Sequence, residues 1–300
     1  MPAEMTTTCW RGLTIGHPAD WELSRASGLD EPKRCSFSDR RSERLDVRWR
    51  PLKAVPNLDH MIERYRDKAP KGRDDIRLEL LDDLPEPWSG IMQTGSDAQV
   101  VHAGRFFADE RILVEVTVAW PKRRDTNLER ELLRSIHPRD PEASAVYWRA
   151  MGMEITLPPS YELVEHTSRV GKVHWVFEQD ARHGGTLTFD RYALTDTWLR
   201  AAVRDWLDTE VTTGRVVDRS TKQMNGHMAE RLLSRSWHGT LSALRGISTL
   251  RLDLAWKCPT DTRLYHVFFR RPAQGEELPL PEQFYVQCCQ PTAVGLGANA

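Results

Sequence analysis

Two stretches of this 300-residue chain run through the same order of signals, and that internal duplication limits the folds open to it. Trp10-Arg11-Gly12-Leu13 is echoed by Trp148-Arg149-Ala150-Met151. A turn with an aromatic follows in each, Pro18-Ala19-Asp20-Trp21 in one and Pro158-Pro159-Ser160-Tyr161 in the other. The alternating run Leu45-Asp46-Val47-Arg48-Trp49 matches Leu187-Thr188-Phe189-Asp190-Arg191, and a helical pattern follows each, from Leu58 to Tyr65 and from Trp198 to Leu207. A unit of about 140 residues is too long for a solenoid repeat and long enough to bury its own core. The expected organisation is two domains, 1–144 and 145–300, with the polar stretch from Arg139 to Ser144 as linker and a frayed tail after Pro291.

Within the first copy, Ile112 to Trp120 alternates and is rich in β-branched residues, as a half-buried central strand requires. Thr126-Asn127-Leu128-Glu129 has the pattern of a capping box, and Leu128, Leu132, Leu133 and Ile136 recur at helical spacing. In the second copy Trp198, Leu199, Ala202, Val203, Trp206 and Leu207 form one apolar helical stripe. Leu250 to Trp256 alternates, and Leu264 to Phe269 is apolar on both faces. Pro281 to Cys288 stands where the first copy has its closing helix and is expected to be helical. The expected fold class is therefore α+β, two tandem copies of an antiparallel-sheet domain with helices packed on the sheet.

The Trp-flanked opening strand, the Pro-x-x-Trp/Tyr turn and this order of elements resemble the PsbP-like fold. That fold is shared by photosystem PsbP proteins, Ran-binding Mog proteins, DcrB-like lipoproteins and the Eag chaperones of type VI secretion. The resemblance implies an αβα sandwich in each half and a non-catalytic binding role, as an adaptor or chaperone for another protein. It brings no binding motif that maps residue by residue.

Charge and motifs narrow the function further. Lysine and arginine number 42 against 43 acidic residues, so no general attraction to nucleic acid or an anionic membrane is expected. No apolar run reaches the ~18 residues of a membrane span, and the first residues lack the pattern of a signal peptide, so a cytoplasmic location is expected. The basic cluster Arg40, Arg41, Arg44, Arg48 and Arg50 is interleaved with Asp39, Glu43 and Asp46 and reads as a solvated strand face. The five cysteines, Cys9, Cys35, Cys258, Cys288 and Cys289, have no framework spacing and read as free thiols.

Neighbouring side chains on a helix diverge, so Cys288 and Cys289 are expected to pack rather than to chelate. No metal site and no cofactor are expected, since neither a zinc-ligand spacing nor a phosphate loop is present. Arg182-His183-Gly184-Gly185 reads as a hairpin turn and His266 as a core histidine. No catalytic residue stands out. The enzyme alternative is a hydrolase whose site is assembled by the fold from His227, Glu230 and Asp253. For partner binding the expected contacts are Trp237, His238 and Arg251 in the second copy, and Trp88 and Trp237 are the tryptophans placed to line a groove.

Overall fold

A computed structural model describes residues 4–28, 32–68, 76–179, 184–211, 214–224, 226–237, 248–272, 278, 281 and 284–289. His238, Arg182, His183 and the tail after Pro291 lie outside the described residues. The chain divides into two compact units, Met1–Ala143 with Trp148–Ala150, and Ser144–Tyr147 with Met151–Ala300. No helix among the described residues is long and apolar enough to cross a membrane.

The first unit opens with a hairpin, β1 (Met5–Trp10) and β2 (Leu13–Pro18). Arg11 and Gly12 both take positive φ there, which a two-residue turn matching the strand twist demands. The main sheet is built from β3 (Glu22–Ala26), β4 (Lys33–Ser38), β5 (Glu43–Pro51), then α1 (Leu58–Lys68), then β6 (Arg77–Leu81), β7 (Ser89–Thr94), β8 (Gln99–Phe107) and β9 (Ile112–Trp120). All pairs are antiparallel, in the order β3-β4-β5-β9-β8-β7-β6. The closing α2 (Thr126–Ser135) is capped by Asp125, whose carboxylate accepts from the Asn127 and Leu128 amides; the threonine of the expected capping box sits one residue inside. Glu129 is fully buried rather than capping. It accepts from the Trp120 indole at 3.2 Å and from Arg124, which also holds Asp83. The two-residue β10 (His137–Pro138) pairs with β2.

The second unit repeats this plan. Following β11 (Val146–Ala150), whose residues Trp148–Ala150 belong to the first unit, it runs through β12 (Met153–Leu157), β13 (Tyr161–Arg169), β14 (Lys172–Gln179) and β15 (Thr186–Tyr192). Two short helices follow, α3 (Thr195–Trp198) and α4 (Val203–Glu210). The sheet is completed by β16 (Arg215–Met224), β17 (His227–Ser236), β18 (Thr249–Lys257) and β19 (Leu264–Pro272), in the order β13-β14-β15-β19-β18-β17-β16. The last strand, β20 (Tyr285–Gln287), pairs with β12.

Both main sheets thus have one strand order, and they agree at finer scale. Met151 and Gly152 repeat the positive φ of Arg11 and Gly12, and the Tyr161 amide bonds to the Pro158 carbonyl as that of Trp21 does to Pro18. A bulge interrupts the first pairing at Leu23/Arg25 and again at Leu163/Glu165. The rung Leu23–Phe37–Leu45–Val118–Val101 has its counterpart in Leu163–Phe177–Leu187–Phe269–Leu252. These rungs lie on the dry face of each sheet. The core there includes Trp49 and Trp120 in one unit and Trp175, Phe189 and Trp256 in the other, all buried.

Four expectations are corrected. Among the described residues antiparallel strands dominate and helices are few and short, so this is a β-rich fold rather than an α+β sandwich with helices packed across the sheet. The segment before Cys288 carries a strand, β20, because Tyr285-Val286-Gln287 buries only its middle residue against an open strand edge. The expected helix from Trp198 to Leu207 is broken between α3 and α4. The break brings Trp198 and Trp206, which an unbroken helix would hold two turns apart, to 6.4 Å, with both rings on Tyr192. Trp10 and Trp148 are also displaced by two residues from true equivalence, since β1 ends at Trp10 and β11 at Ala150. A shift of two keeps each ring on the same face, which is why the sequence pattern conceals it.

Candidate functional site

The face opposite the dry core carries the chemistry in each unit. In the first, two rungs cross the middle of the sheet, His102–Thr117–Asp46–Ser36 and Gly104–Glu115–Arg48–Arg34. Asp46 is nearly buried and accepts from Ser36 Oγ at 2.9 Å, Arg48 Nε at 2.9 Å and Arg34 Nε. His102 lies between Thr117 Oγ1 at 3.3 Å from its Nδ1 and the Tyr65 hydroxyl at 3.0 Å from its Nε2. Burial holds the His102 imidazole below its ordinary pKa and therefore neutral, and burial raises the Tyr65 phenol. One wall comes from α1, through Leu58, Met61, Ile62 and Tyr65, leaving a cavity of about 380 Å³ over Ile91, His102 and Thr117. Apolar walls with a few convergent polar groups are what a ligand or an inserted side chain requires.

The second unit places other residues at the same rungs, Asp253–Phe268–Thr188–Val176 and Ala255–His266–Asp190–His174. Asp253 is fully buried, takes a two-pronged contact from Arg251 at 2.7–3.0 Å and accepts from His266 Nε2 at 2.9 Å. Asp190 accepts from His174 Nδ1 and, at 3.1 Å, from the Tyr192 hydroxyl, with Lys172 Nζ also at 3.1 Å. Burial opposes ionisation of Asp190, but the His174 hydrogen bond and the Lys172 charge outweigh it and hold the carboxyl below its ordinary pKa. Burial, reinforced by Asp190, pushes the Tyr192 phenol up. Trp206 of α4 meets the His266 ring edge-on at 5.4 Å and Tyr192 at 5.5 Å. The groups that form a cavity wall in the first unit are thus covered by indole in the second.

The residues singled out in the sequence fall in several places. Trp237 follows the end of β17 and is 43% exposed, whereas Trp88 is buried against Phe107. Arg251 lies on β18, with its guanidinium on Asp253 and 4.2 Å over the Phe268 ring, so its contacts are internal. His227, Glu230 and Asp253 are not assembled into one site: His227 bonds to Cys289, Glu230 borders a cleft with Arg204, Arg219 and Arg231, and Asp253 is taken by Arg251 and His266. In the basic cluster, Arg44 lies over Trp21 and Trp120, while Arg48 is on Asp46. The residues that sequence reasoning assigned to no site are His102, Tyr65, His174 and Asp190, with His174 read as a ring stacking beside a tryptophan on a strand. For His102, His174 and Asp190 the available signal was a charged or imidazole side chain at an alternating strand position, whereas Tyr65 lies on α1.

No family model matches the chain, and no curated protein matches it. Among solved structures, the apo immunity protein TplEi of the type VI secretion system of Pseudomonas aeruginosa is similar over 95% of this chain and 98% of its own. Identity there is 11% and the TM-score 0.40. The same protein complexed with an "L" peptide is similar over 92% and 90%, at 10% identity and a TM-score of 0.38. At that overlap neither a fold family nor a function is carried across.

Proposed function

We propose that this chain is a non-enzymatic module that binds another protein, as an adaptor or chaperone, through the exposed ribbon of β16 and β17 in the second unit. The observation that supports it is the surface of β16. Its residues are exposed along the whole strand except Met224, and among the described residues it has one neighbour, so its outer edge offers free backbone donors and acceptors. Exposed apolar side chains gather at one end of the ribbon. Val216 and Val217 lie at the start of β16, Arg215 pairs with Arg235, and Trp237 follows two residues on. Aromatic and arginine residues around a small apolar patch are the usual composition of binding hot spots. Asp218, Arg219 and Lys222 farther along, with the bulge at Val216/Asp218, keep the rest of the edge from pairing indiscriminately.

The test is capture of partners from the native cell by the tagged full chain, followed by the variants Trp237→Ala and Val216→Asp/Val217→Asp. Loss of at least about tenfold in captured partner, with an unchanged circular dichroism spectrum, is expected for the removal of a hot-spot residue. Undiminished capture by both variants removes the ribbon from consideration. The enzyme reading has one observation in its favour, the His266–Asp253 and His174–Asp190 pairs within hydrogen-bond reach. Against it, Trp206 lies on His266, and both Asp253 oxygens are occupied by Arg251.

A further inference from the structure

Three strand ends of the second unit converge on one cluster of sulfur and nitrogen. His227 is the first residue of β17, Cys258 follows the last residue of β18, and Cys288 and Cys289 follow β20. A ring nitrogen of His227 and the three Sγ atoms all lie within 4.8 Å of one another. The individual spacings are close to those of a coordination polyhedron. Zinc–sulfur bonds of 2.3 Å and a zinc–nitrogen bond near 2.0 Å put tetrahedral edges at about 3.8 Å between sulfurs and about 3.6 Å between sulfur and nitrogen. Here Cys288 Sγ and Cys289 Sγ are 3.9 Å apart, and His227 Nε2 is 3.3 Å from Cys289 Sγ.

We propose that His227, Cys258, Cys288 and Cys289 form a structural zinc site. The expectation that the vicinal cysteines could not share an ion depended on a helix, where neighbours diverge. The chain instead leaves β20 in a bend at Cys289, which turns both thiols to one side. The surroundings hold the ligands in place: Cys258 is fully buried, its amide bonds to the Arg263 carbonyl at 2.9 Å, and the Tyr265 hydroxyl, which donates to Asp261, lies 3.2 Å from the Cys288 carbonyl. Four protein ligands leave no open position, so the ion would staple β20 to the ends of β17 and β18 rather than activate water. On binding, three thiols release their protons to solvent, His227 binds as the neutral imidazole, and the thiolates with Zn²⁺ carry one net negative charge.

The experiment is metal analysis of the full chain purified under reducing conditions from zinc-supplemented cells. One zinc per chain is expected, falling below about a tenth of that in Cys258→Ser and Cys289→Ser and unchanged in the Cys9→Ser/Cys35→Ser double variant. Should the single variants fail to fold, cobalt added to chelator-treated wild-type protein is the second measurement. Tetrahedral thiolate ligation gives intense visible d–d bands and thiolate-to-cobalt charge transfer in the near ultraviolet. A reduced, folded, zinc-free protein whose melting temperature zinc does not raise and which gives no such cobalt spectrum overturns the site. A disulfide among Cys258, Cys288 and Cys289, found by mass spectrometry of protein that was never reduced and that lacks zinc, overturns it in favour of redox chemistry.

Discussion

The polar faces of the two sheets differ where their topology does not. At corresponding rungs the first unit has His102, Glu115, Arg48 and Arg34, and the second has Asp253, His266, Asp190 and His174. In one, cations surround Asp46 below an open cavity; in the other, carboxylates pair with imidazoles below the Trp206 indole. The element that decides between them is the helical connection after the third strand of the sheet. In α1 it is one regular helix presenting Tyr65, and in α3 and α4 it breaks, and the bend lays Trp206 on His266 and Tyr192 with Trp198 at its more exposed edge. A duplicated sheet therefore keeps its dry face, where Leu45 and Leu187 hold the same place, and diverges on the face that one insertion can cover or leave open.

That contrast can be broken experimentally, and the largest effect is expected at Asp253. Its replacement by alanine strands Arg251 and His266 in a dry site and should destabilise the second unit by about 3–5 kcal/mol, the range for breaking a buried ion pair from one side. The equivalent change in the first unit, His102→Ala, removes a neutral ring beside an existing cavity and should cost about 1–2 kcal/mol. Equal losses in urea melts would show the two faces to be held alike.

Trp206→Ala comes next, at about 2–4 kcal/mol because the ring is only partly covered, with Trp198→Ala, 38% exposed, near 1 kcal/mol. A shift below about 1 kcal/mol for Trp206→Ala would mean that its indole is not what covers the second face.

A smaller effect distinguishes the units by pH. His17 and His102, both in the first unit, have imidazole pKa values lowered mainly by burial from 6.5. Below that value the unfolded chain takes up protons that the folded unit refuses, so stability is fully present above about pH 6.5 and is lost as pH falls toward the folded values. The lowered carboxyl of Asp190 instead stabilises the second unit down to about pH 4 and loses its contribution only below that. Thermal melts between pH 7 and 5 should show a slope that His102→Gln flattens, and an unchanged slope would contradict the burial argument. Tyr65→Phe should have the smallest effect, under about 1 kcal/mol, since it removes one half-exposed hydrogen bond.

Much of the dry face was legible in the sequence, because alternation reports burial on one side of a strand. The run from Ile112 to Trp120 is β9, and the match of Leu45 with Leu187 is the rung seen in both sheets. The balance of strand and helix was not legible. Arg215 to Met224 is exposed on both faces and so has no alternation to read, although it is one of the longest strands. The helix expected from Pro281 to Cys288 failed for a local reason, since three residues of strand before a bend have no periodicity to distinguish them from a helical turn. The polar rungs failed for a non-local one: His174, Asp190 and His266 belong to three strands, and only the insertion of β19 beside β15 brings them into line. Of the expected partner contacts, Trp237 is exposed, whereas Arg251 faces inward onto a carboxylate two residues away.

The shared strand order has a consequence for how such a chain reaches its native state. In each unit the closing strand, β9 or β19, must find a central slot between strands already laid down, β5 and β8 or β15 and β18. Tandem copies with the same topology offer each late strand a second slot of the right length, and swapped pairing is a characteristic kinetic trap of repeated domains. The side chains oppose the exchange. With β19 in the slot of β9, His266 would replace the Glu115 carboxylate opposite Arg48, and Phe268 would take the place of Thr117 between His102 and Asp46. Divergence of the polar rungs therefore acts as an address label during folding, penalising the wrong strand before the sheet closes around it.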